Sequence, residues 1–315
     1  AGFALIYTLL GWQAGSALSG SAYMSAGPVS ARAGACAGSW RARSWRGGST
    51  AQMLAAASSS EGAGYTLIST ELLAQLLQLT QCPCSTEQLP TLRNRYFALR
   101  HGQSEANVEG IISSSPEVGT VTHGLTAEGR LQARRAATAL VDIVGREHLS
   151  EVYFYSSDFT RALQTAEEAL GAVRNLVEFE NSATLQDRVE LARHEIVITP
   201  LLRERWFGAL DGQPLRTYQQ VWPRDLVSAE HSHASVESVA SVTRRIRELI
   251  LQIEREREGC SVVLVSHADT LQIAQMFLAG TDPRAFSMYR FRNGEARPML
   301  QDPTSLPTPV PLTYQ

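Results

Sequence analysis

The chain has 315 residues, of which 44% are hydrophobic and 19% charged, with a formal net charge of −3. This composition is typical of a globular protein with a sizeable core, and its charge argues against a polyanion such as nucleic acid as a partner. The first apolar stretch, Ala1 to Trp12, is shorter than the about 20 residues needed to span a bilayer. We therefore expect no membrane partner.

The first 60 residues differ in composition from the rest of the chain. They are rich in Ala, Ser and Gly and contain four arginines but no acidic residue. A short apolar stretch followed by such a segment resembles a presequence that directs a protein to a plastid or a mitochondrion. The alternative is an extension with no address, on a cytoplasmic protein. In both cases we expect residues 1–60 not to fold, since they cannot bury enough apolar surface. The whole disordered extension is predicted over residues 1–90, with one short helix at Glu71 to Leu79.

The cysteines give little indication of a metal or redox site. Cys82-Pro83-Cys84 lacks the two-residue spacing that is usual for zinc and redox pairs, and no second pair answers it. His231 and His233 are candidates to complete a metal site with them, but scattered residues of these types are more often structural. We predict no metal and no cofactor.

The first chemically distinctive segment follows a short apolar run, Tyr96 to Leu99, which predicts a buried strand. Arg100, His101 and Gly102 come directly after it, and ligands of open α/β sheets bind beyond the carboxyl ends of strands. An arginine beside a histidine at such a place indicates an anion site that contains a nucleophile. Gly102 is expected to let the backbone approach a ligand closely.

Helices and strands are then predicted in alternation. Thr126 is expected to cap a helix that reaches about Val144. Val152 to Tyr155 predicts a second strand, Phe159 to about Ala172 the helix behind it, and Glu195 to Thr199 a further strand.

The second half continues this pattern. Apolar residues at helical spacing predict a long amphipathic helix from Ser235 to Glu258, with a solvated charged face and Gly259 directly after its end. Ser261 to Val265 predicts the strand that delivers His267, and Thr270 to Leu278 the next helix. The alternation predicts an α/β domain over residues 91–300, a three-layer fold with a largely parallel sheet flanked by helices. Residues 301–315 are expected to form an extended Pro-rich tail.

Four motifs occur along this predicted domain. They are Arg-His-Gly-x-Ser-x-x-Asn from Arg100, Ser-Asp-x-x-Arg-Ala-x-x-Thr-Ala from Ser157, Leu-x-Glu-Arg-x-x-Gly from Leu202 and Val-Ser-His from Val265. One such motif alone is weak, but four in this order are specific. With them the chain resembles the histidine phosphatase superfamily, which includes the phosphoglycerate mutases and acid phosphatases. The resemblance implies a phosphoglycerate mutase-like fold and a phosphorylated small molecule as substrate.

The resemblance also implies a role for each site residue. Arg100, Arg161 and Asn107 would bind the phosphate, as would His267, which would also stabilise charge in the transition state. His101 would attack phosphorus to give a phosphohistidine, and Glu204 would act first as acid and then as base. The role of Glu204 has two alternatives in the sequence. Arg203 or Arg205 could simply pair with it, and further acids precede it at Glu178, Glu180 and Glu190.

Departures from the family pattern favour one activity. Ala106 stands where mutases carry tryptophan, and Leu215 stands where they carry a lysine, with only Arg216 nearby as a substitute. A guanidinium in a shifted position is not equivalent to an ammonium. We therefore expect a phosphatase, a phosphoric monoester hydrolase, with a cofactor-dependent phosphoglycerate mutase as the alternative. A catalytically weak phosphate-binding or scaffold member is a third possibility, against which all five catalytic positions are filled. The sequence sets neither the substrate nor the oligomeric state.

Overall fold

The computed structural model describes residues 89–178 and 195–299, together with residues 3–5, 67–69, 302, 304 and 306–310. The chain divides into two units. The first is Leu5–Ile68, and the second consists of Ala1–Ala4 and Ser69–Gln315. The fold below belongs to the second unit. The predicted helix at Glu71 to Leu79 lies outside the described residues. The targeting segment and the domain boundaries stay predictions.

A five-stranded sheet forms the centre of this unit. The short strands β1 (Phe3–Leu5) and β2 (Leu67–Ser69) precede it in the chain. The sheet has the strand order β5-β4-β6-β3-β7 and consists of β3 (Arg95–Arg100), β4 (Val152–Ser156), β5 (Ile196–Ile198), β6 (Ser261–Ser266) and β7 (Ala296–Pro298). Strands β3 to β6 pair in parallel, and only the edge strand β7 is antiparallel, against β3. The predicted largely parallel sheet is confirmed.

Helices cover this sheet and connect its strands. Among the described residues the α-helices are α1 (Glu105–Glu109), α2 (Pro116–Gly119), α3 (Ala127–Val144), α4 (Thr160–Glu178), α5 (Trp222–Asp225), α6 (Val239–Glu256) and α7 (Ala268–Leu278). Short 3-10 helices lie at Arg146–Glu151, Pro200–Leu202, Gly208–Leu210, Leu215–Gln220, His233–Ser235 and Pro283–Met288. No helix in the described part of the chain is both long enough and apolar enough to cross a bilayer.

Both faces of the sheet are buried, which is why its strands are nearly continuous apolar runs. Phe97, Leu99 and Val263 pack on one face in a core cluster with apolar side chains of α3 and α4. The alternate residues, such as Ala98 and Leu264, are buried on the other face. Helix α7 contacts β3 and packs against α6. This is the predicted three-layer arrangement.

Two predicted helix bounds are wrong for identifiable reasons. Helix α4 runs to Glu178 rather than Ala172, because Val173 and Val177 continue its buried stripe into the core cluster. Helix α6 begins at Val239 rather than Ser235, because the Ser238 side chain caps it by accepting a hydrogen bond from Ser241 N at 3.1 Å.

The end of α6 also differs from the prediction. Arg257 leaves the helix with φ −139°, and Gly259, with φ +73°, serves the turn before β6 rather than the position directly after the helix. The charged face is not solvated throughout. Glu254 is buried and accepts hydrogen bonds from Arg93 N, Asn94 Nδ2 and Tyr96 Oη, and so ties α6 to the start of β3.

Gly102 has a packing role that the sequence reasoning did not assign. A Cβ on Gly102 would overlap the carbonyl oxygen of Gly129, and a Cβ on Gly129 would overlap the carbonyl oxygen of Gln103. The two glycines therefore let the first turn of α3 lie directly against the loop that carries His101. The close approach is between backbone and backbone, and the predicted approach to a ligand is not needed to explain Gly102.

We expect Gly129→Ala to lower the free energy of unfolding by about 1–3 kcal/mol, because the new methyl group has no space. Gly171→Ala is the matched control. Gly171 lies inside α4 with open space around its Cβ position, so alanine there should stabilise the protein by about 0.5–1 kcal/mol. Urea unfolding of both variants measures this. Equal effects of the two substitutions would contradict the packing account.

Candidate active site

The pairing of β3 with β6 brings the two motif histidines together. The register places Arg100 opposite Ser266, so His101 and His267 follow at the same edge of the sheet. His101 N donates a hydrogen bond to the Ser266 carbonyl oxygen at 3.0 Å. The two imidazole rings meet edge to face, with centroids 5.2 Å apart and planes at 60°.

A cavity of about 340 Å³ opens at this edge of the sheet. Five of the six predicted site residues line it: Arg100, His101, Asn107, Arg161 and Glu204. The sixth, His267, is fully buried and lies against the His101 ring. The structure therefore brings the predicted site residues together in one place.

The hydrogen bonds of His101 define which ring nitrogen is available. Nδ1 lies 2.7 Å from the Gly102 carbonyl oxygen, which can only accept, so Nδ1 carries the proton. Nε2 then holds the lone pair, and the Arg161 Nε–H donates to it at 3.3 Å. A neutral histidine with its lone pair on Nε2 is the form that can attack an electrophile.

Burial keeps this ring neutral. Loss of hydration and, after it, the charges of Arg161 and Arg100 hold the pKa of His101 well below its usual value. The imidazole is consequently neutral at neutral pH, with a single ring proton on Nδ1, although it lies among cations.

Two arginines supply positive charge to the cavity. Arg161, in the first turn of α4, donates from Nη2 to the Ser113 carbonyl oxygen at 2.7 Å. Burial lowers the pKa of Arg161 to about 10, which leaves it charged at neutral pH. Arg100 donates from Nη1 to the Phe291 carbonyl oxygen at 2.7 Å. These contacts fix both guanidinium groups at the cavity wall.

Asn107 presents a donor group. It lies on α1, where it forms a capping box with Ser104. Its Oδ1 accepts hydrogen bonds from Ser104 N, Ser104 Oγ and Asn293 Nδ2. With its acceptor occupied, the Asn107 NH₂ group is what the side chain can offer to an anion in the cavity.

Glu204 is not neutralised by the arginines on either side of it. Arg203 pairs with Asp158 and Arg205 pairs with Asp225. Glu204 Oε1 instead accepts hydrogen bonds from Arg205 N, at 2.9 Å, and from Thr270 at the start of α7. The two simple pairings left open by the sequence do not occur. Of the other acids considered, Glu178 is the last residue of α4, and Glu180 and Glu190 lie outside the described residues.

His267 has one satisfied and one unsatisfied ring nitrogen. Ser157 Oγ lies 3.0 Å from Nε2 and accepts from Phe159 N, so its hydroxyl hydrogen is free to donate to Nε2. Nδ1 then carries the proton, and it has no acceptor within the described part of the protein. Arg100 Nε is likewise a buried donor without an acceptor there. Buried unmatched donors are costly, and an anion bound in the cavity is the natural acceptor for both.

Several residues of the site were not found from the sequence. Ser113 anchors Arg161, Ser157 orients His267, and Asp269 lines the cavity two residues after His267. Tyr218 stacks on Trp222 with ring centroids 4.5 Å apart, and both line the cavity. The signal for Asp269 was its place in the first turn of a helix that follows a site-bearing strand.

For metals, the described residues hold no cluster of three or more His, Cys, Asp or Glu side chains. Cys82 and Cys84 are not among them, so the absence of a metal stays a prediction.

The two buried imidazoles should make stability depend on pH. Burial holds the pKa values of His101 and His267 well below the ordinary value. The unfolded chain therefore binds protons below about pH 6.5 that the folded protein does not. As the pH is lowered through this range, each histidine reduces the free energy of unfolding by about 1.4 kcal/mol per pH unit.

We expect His267→Gln to reduce this slope between pH 6 and pH 5 by about one histidine's share. His148→Gln, on a side chain that is 42% exposed outside the site, leaves both buried imidazoles in place and should keep the wild-type slope. Urea unfolding at pH 7, 6 and 5 measures the three slopes. A wild-type slope in the His267→Gln protein would contradict a neutral buried His267.

Two curated proteins are similar to part of the chain. The fructose-2,6-bisphosphatase TIGAR B of Danio rerio is 34% identical over 121 residues, which cover 38% of this chain and 37% of the relative. Phosphoglycerate mutase 3 of Saccharomyces cerevisiae is 30% identical over 127 residues, or 38% of this chain and 40% of the relative. Each match spans about two fifths of the relative's length.

Solved structures of similar proteins share less sequence. A mycobacterial glucosyl-3-phosphoglycerate phosphatase matches with a TM-score of 0.47 and 22% identity, over 64% of this chain and 90% of that one.

The family model of branch 1 of the histidine phosphatase superfamily matches residues 96–297, a range that contains every site residue described above. The chain belongs to the histidine phosphatase superfamily.

Proposed function

We propose that this protein is a phosphatase that hydrolyses a phosphomonoester of a small metabolite through a phosphohistidine on His101. The observation that carries the proposal is the lone pair of His101 Nε2 at the cavity, fixed by the Nδ1 bond to the Gly102 carbonyl and bordered by Arg161. Nε2 itself stays unprotonated, because burial holds the pKa of His101 well below its usual value.

The donors around the cavity suit a phosphate dianion. Arg100 and Arg161 provide charge-assisted hydrogen bonds, and Asn107 and His267 add neutral donors. Together they offset the repulsion between the phosphate oxygens and an incoming nucleophile. Positive charge from the arginines fills the place that a metal ion has in many other phosphatases, so we propose that turnover needs no metal.

The reaction then proceeds in two displacements. His101 Nε2 attacks phosphorus opposite the ester oxygen, and the bond to the leaving alkoxide breaks. His267 Nδ1–H and the arginines stabilise the transferring phosphoryl group. Water next attacks the phosphohistidine and releases phosphate. Each displacement also requires the transfer of a proton. Glu204 lines the cavity beside these groups and is the carboxyl group that the sequence proposes as acid and then base.

Three features support hydrolysis over the mutase reaction. Leu215 lines the cavity where mutases carry a lysine, and the exposed Arg216 is not among the lining residues, so it does not replace that lysine. The small Ala106 also lines the cavity. The relatives named above include both a phosphatase and a mutase and so support the two activities generally.

The cavity also bears on the remaining alternatives. Its volume of about 340 Å³ lies at the lower end of the range for small-molecule sites, which favours a phosphorylated metabolite over a macromolecule. All proposed catalytic positions are filled and converge, which disfavours a purely phosphate-binding scaffold. The identity of the metabolite is open to a screen of phosphorylated compounds.

We expect brief reaction with a ³²P-labelled phosphomonoester in the presence of EDTA, followed by an alkaline quench, to give an acid-labile and base-stable phosphoenzyme. His267→Ala keeps the nucleophile and both arginines, so it should still label the peptide that contains His101, at a rate about 10²–10³-fold lower. His101→Ala should give no label. Labelling that requires Mg²⁺, or that persists in His101→Ala, would contradict the proposal.

A further inference from the structure

The cavity holds a second carboxyl group besides Glu204. Asp269 is the second residue of α7, two positions after His267, and its side chain lines the cavity although the residue is only 1% exposed. A buried carboxyl group is rare unless it is paired or binds something. Its partners therefore decide what it can do.

The partners of Asp269 do not neutralise it. Its Oδ2 accepts a hydrogen bond from Trp222 Nε1 at 3.3 Å. Arg205 Nη1 lies 3.6 Å from Oδ2. That guanidinium is already committed to Asp225, to which it donates two hydrogen bonds of 2.7 Å with both side chains fully buried. Asp269 thus shares Arg205 with Asp225.

The other charged and titratable groups around Asp269 favour its neutral form on balance. Glu204, from the segment after β5, and Asp225, on α5, both oppose a negative charge there. Burial and Glu204 raise the pKa of Asp269 to about 8, against the opposite effect of Arg205. Arg100 and Tyr218 also face this group, and the pKa of the buried Tyr218 hydroxyl is held well above its usual value, first by burial and then by the neighbouring carboxyl groups. Asp269 consequently carries a proton at neutral pH.

Glu204, the other carboxyl group at the cavity, has different partners. Its Oε1 accepts from Arg205 N at 2.9 Å and from Thr270 N, at the start of α7, at 3.4 Å. These donors fix the Glu204 carboxyl group at the start of α7, where it lines the cavity. Two cavity carboxyl groups in unequal surroundings can divide the two proton transfers of a two-step reaction.

We propose that Asp269 is a second catalytic carboxyl group, which gives its proton to the leaving alkoxide while Glu204 accepts a proton from the attacking water. This inference rests on the proposed phosphatase function and assigns its acid and its base to different residues. In the first step the Nε2–P bond forms, the P–O ester bond breaks with its electron pair on oxygen, and the Asp269 proton converts that oxygen to a hydroxyl. In the second step water adds to phosphorus, the P–N pair returns to His101, and the water proton goes to Glu204. Transfer of that proton to Asp269 restores the starting state.

The test compares leaving groups. A p-nitrophenolate leaves without a proton, whereas the alkoxide of β-glycerophosphate needs one. We expect Asp269→Asn, which keeps an acceptor for Trp222, to lower kcat/KM for β-glycerophosphate by about 10²–10⁴-fold and to lower it at least tenfold less for p-nitrophenyl phosphate. Asp269→Glu keeps an acid and should preserve the wild-type ratio between the two substrates. Asp142→Asn, on an exposed residue of α3, is the matched control and should also preserve it.

The wild-type protein provides a second measurement that needs no variant to fold. Its kcat for β-glycerophosphate should decline above about pH 8, where Asp269 loses its proton, and its kcat for p-nitrophenyl phosphate should not follow that decline. Equal losses on both substrates in Asp269→Asn, or the same alkaline decline with both substrates in the wild type, would overturn the assignment of Asp269. A wild-type protein that hydrolyses neither substrate and forms no phosphohistidine would instead overturn the proposed function.

Discussion

The reactivity of the cavity depends on one hydrogen bond, from His101 Nδ1 to the carbonyl oxygen of Gly102 at 2.7 Å. This bond fixes the tautomer, so that the lone pair of the imidazole lies on Nε2. Several contacts hold the loop of His101 and Gly102 in the position that this hydrogen bond needs. The parallel pairing of β3 with β6 fixes the backbone of His101, and Thr165 Oγ1 accepts from Gly102 N at 3.1 Å. The contact of Gly102 with Gly129 lets α3 support the same loop.

A second set of interactions keeps the arginines next to Glu204 in the chain from pairing with it. The arginines on either side of Glu204 are held by Asp158 and Asp225. The Arg205–Asp225 pair is fully buried, and His231 Nε2 lies 2.6 Å from Asp225 Oδ1. Breaking a buried pair of this kind typically costs about 3–5 kcal/mol. Because these pairs are satisfied among themselves, Glu204 and Asp269 stay available to the cavity, next to the cations Arg100 and Arg161.

Much of the fold and of the site could be read from the sequence. The strands were predictable because apolar runs such as Ser261–Ser266 are short and sharply bounded, and the site because its motifs follow directly after strands. The parts that failed depend on partners far away in the chain. Glu254 reads as a surface acid of an amphipathic helix until Tyr96 and Asn94 fold against it. Gly102 reads as a ligand-binding glycine until α3 packs on it. Asp269 reads as an ordinary first-turn acid, because only the folded cavity shows that Arg205 is already occupied by Asp225.

The central claim is that His101 attacks phosphorus through Nε2. The most direct measurement is ³¹P nuclear magnetic resonance of the alkali-denatured phosphoenzyme, because the two phosphohistidine isomers have different chemical shifts and both survive alkali. With Nδ1 bonded to the Gly102 carbonyl, the account predicts a single resonance from the Nε2-phosphorylated isomer, absent from the His101→Ala protein. A resonance from the Nδ1-phosphorylated isomer, or one that His101→Ala retains, would contradict it.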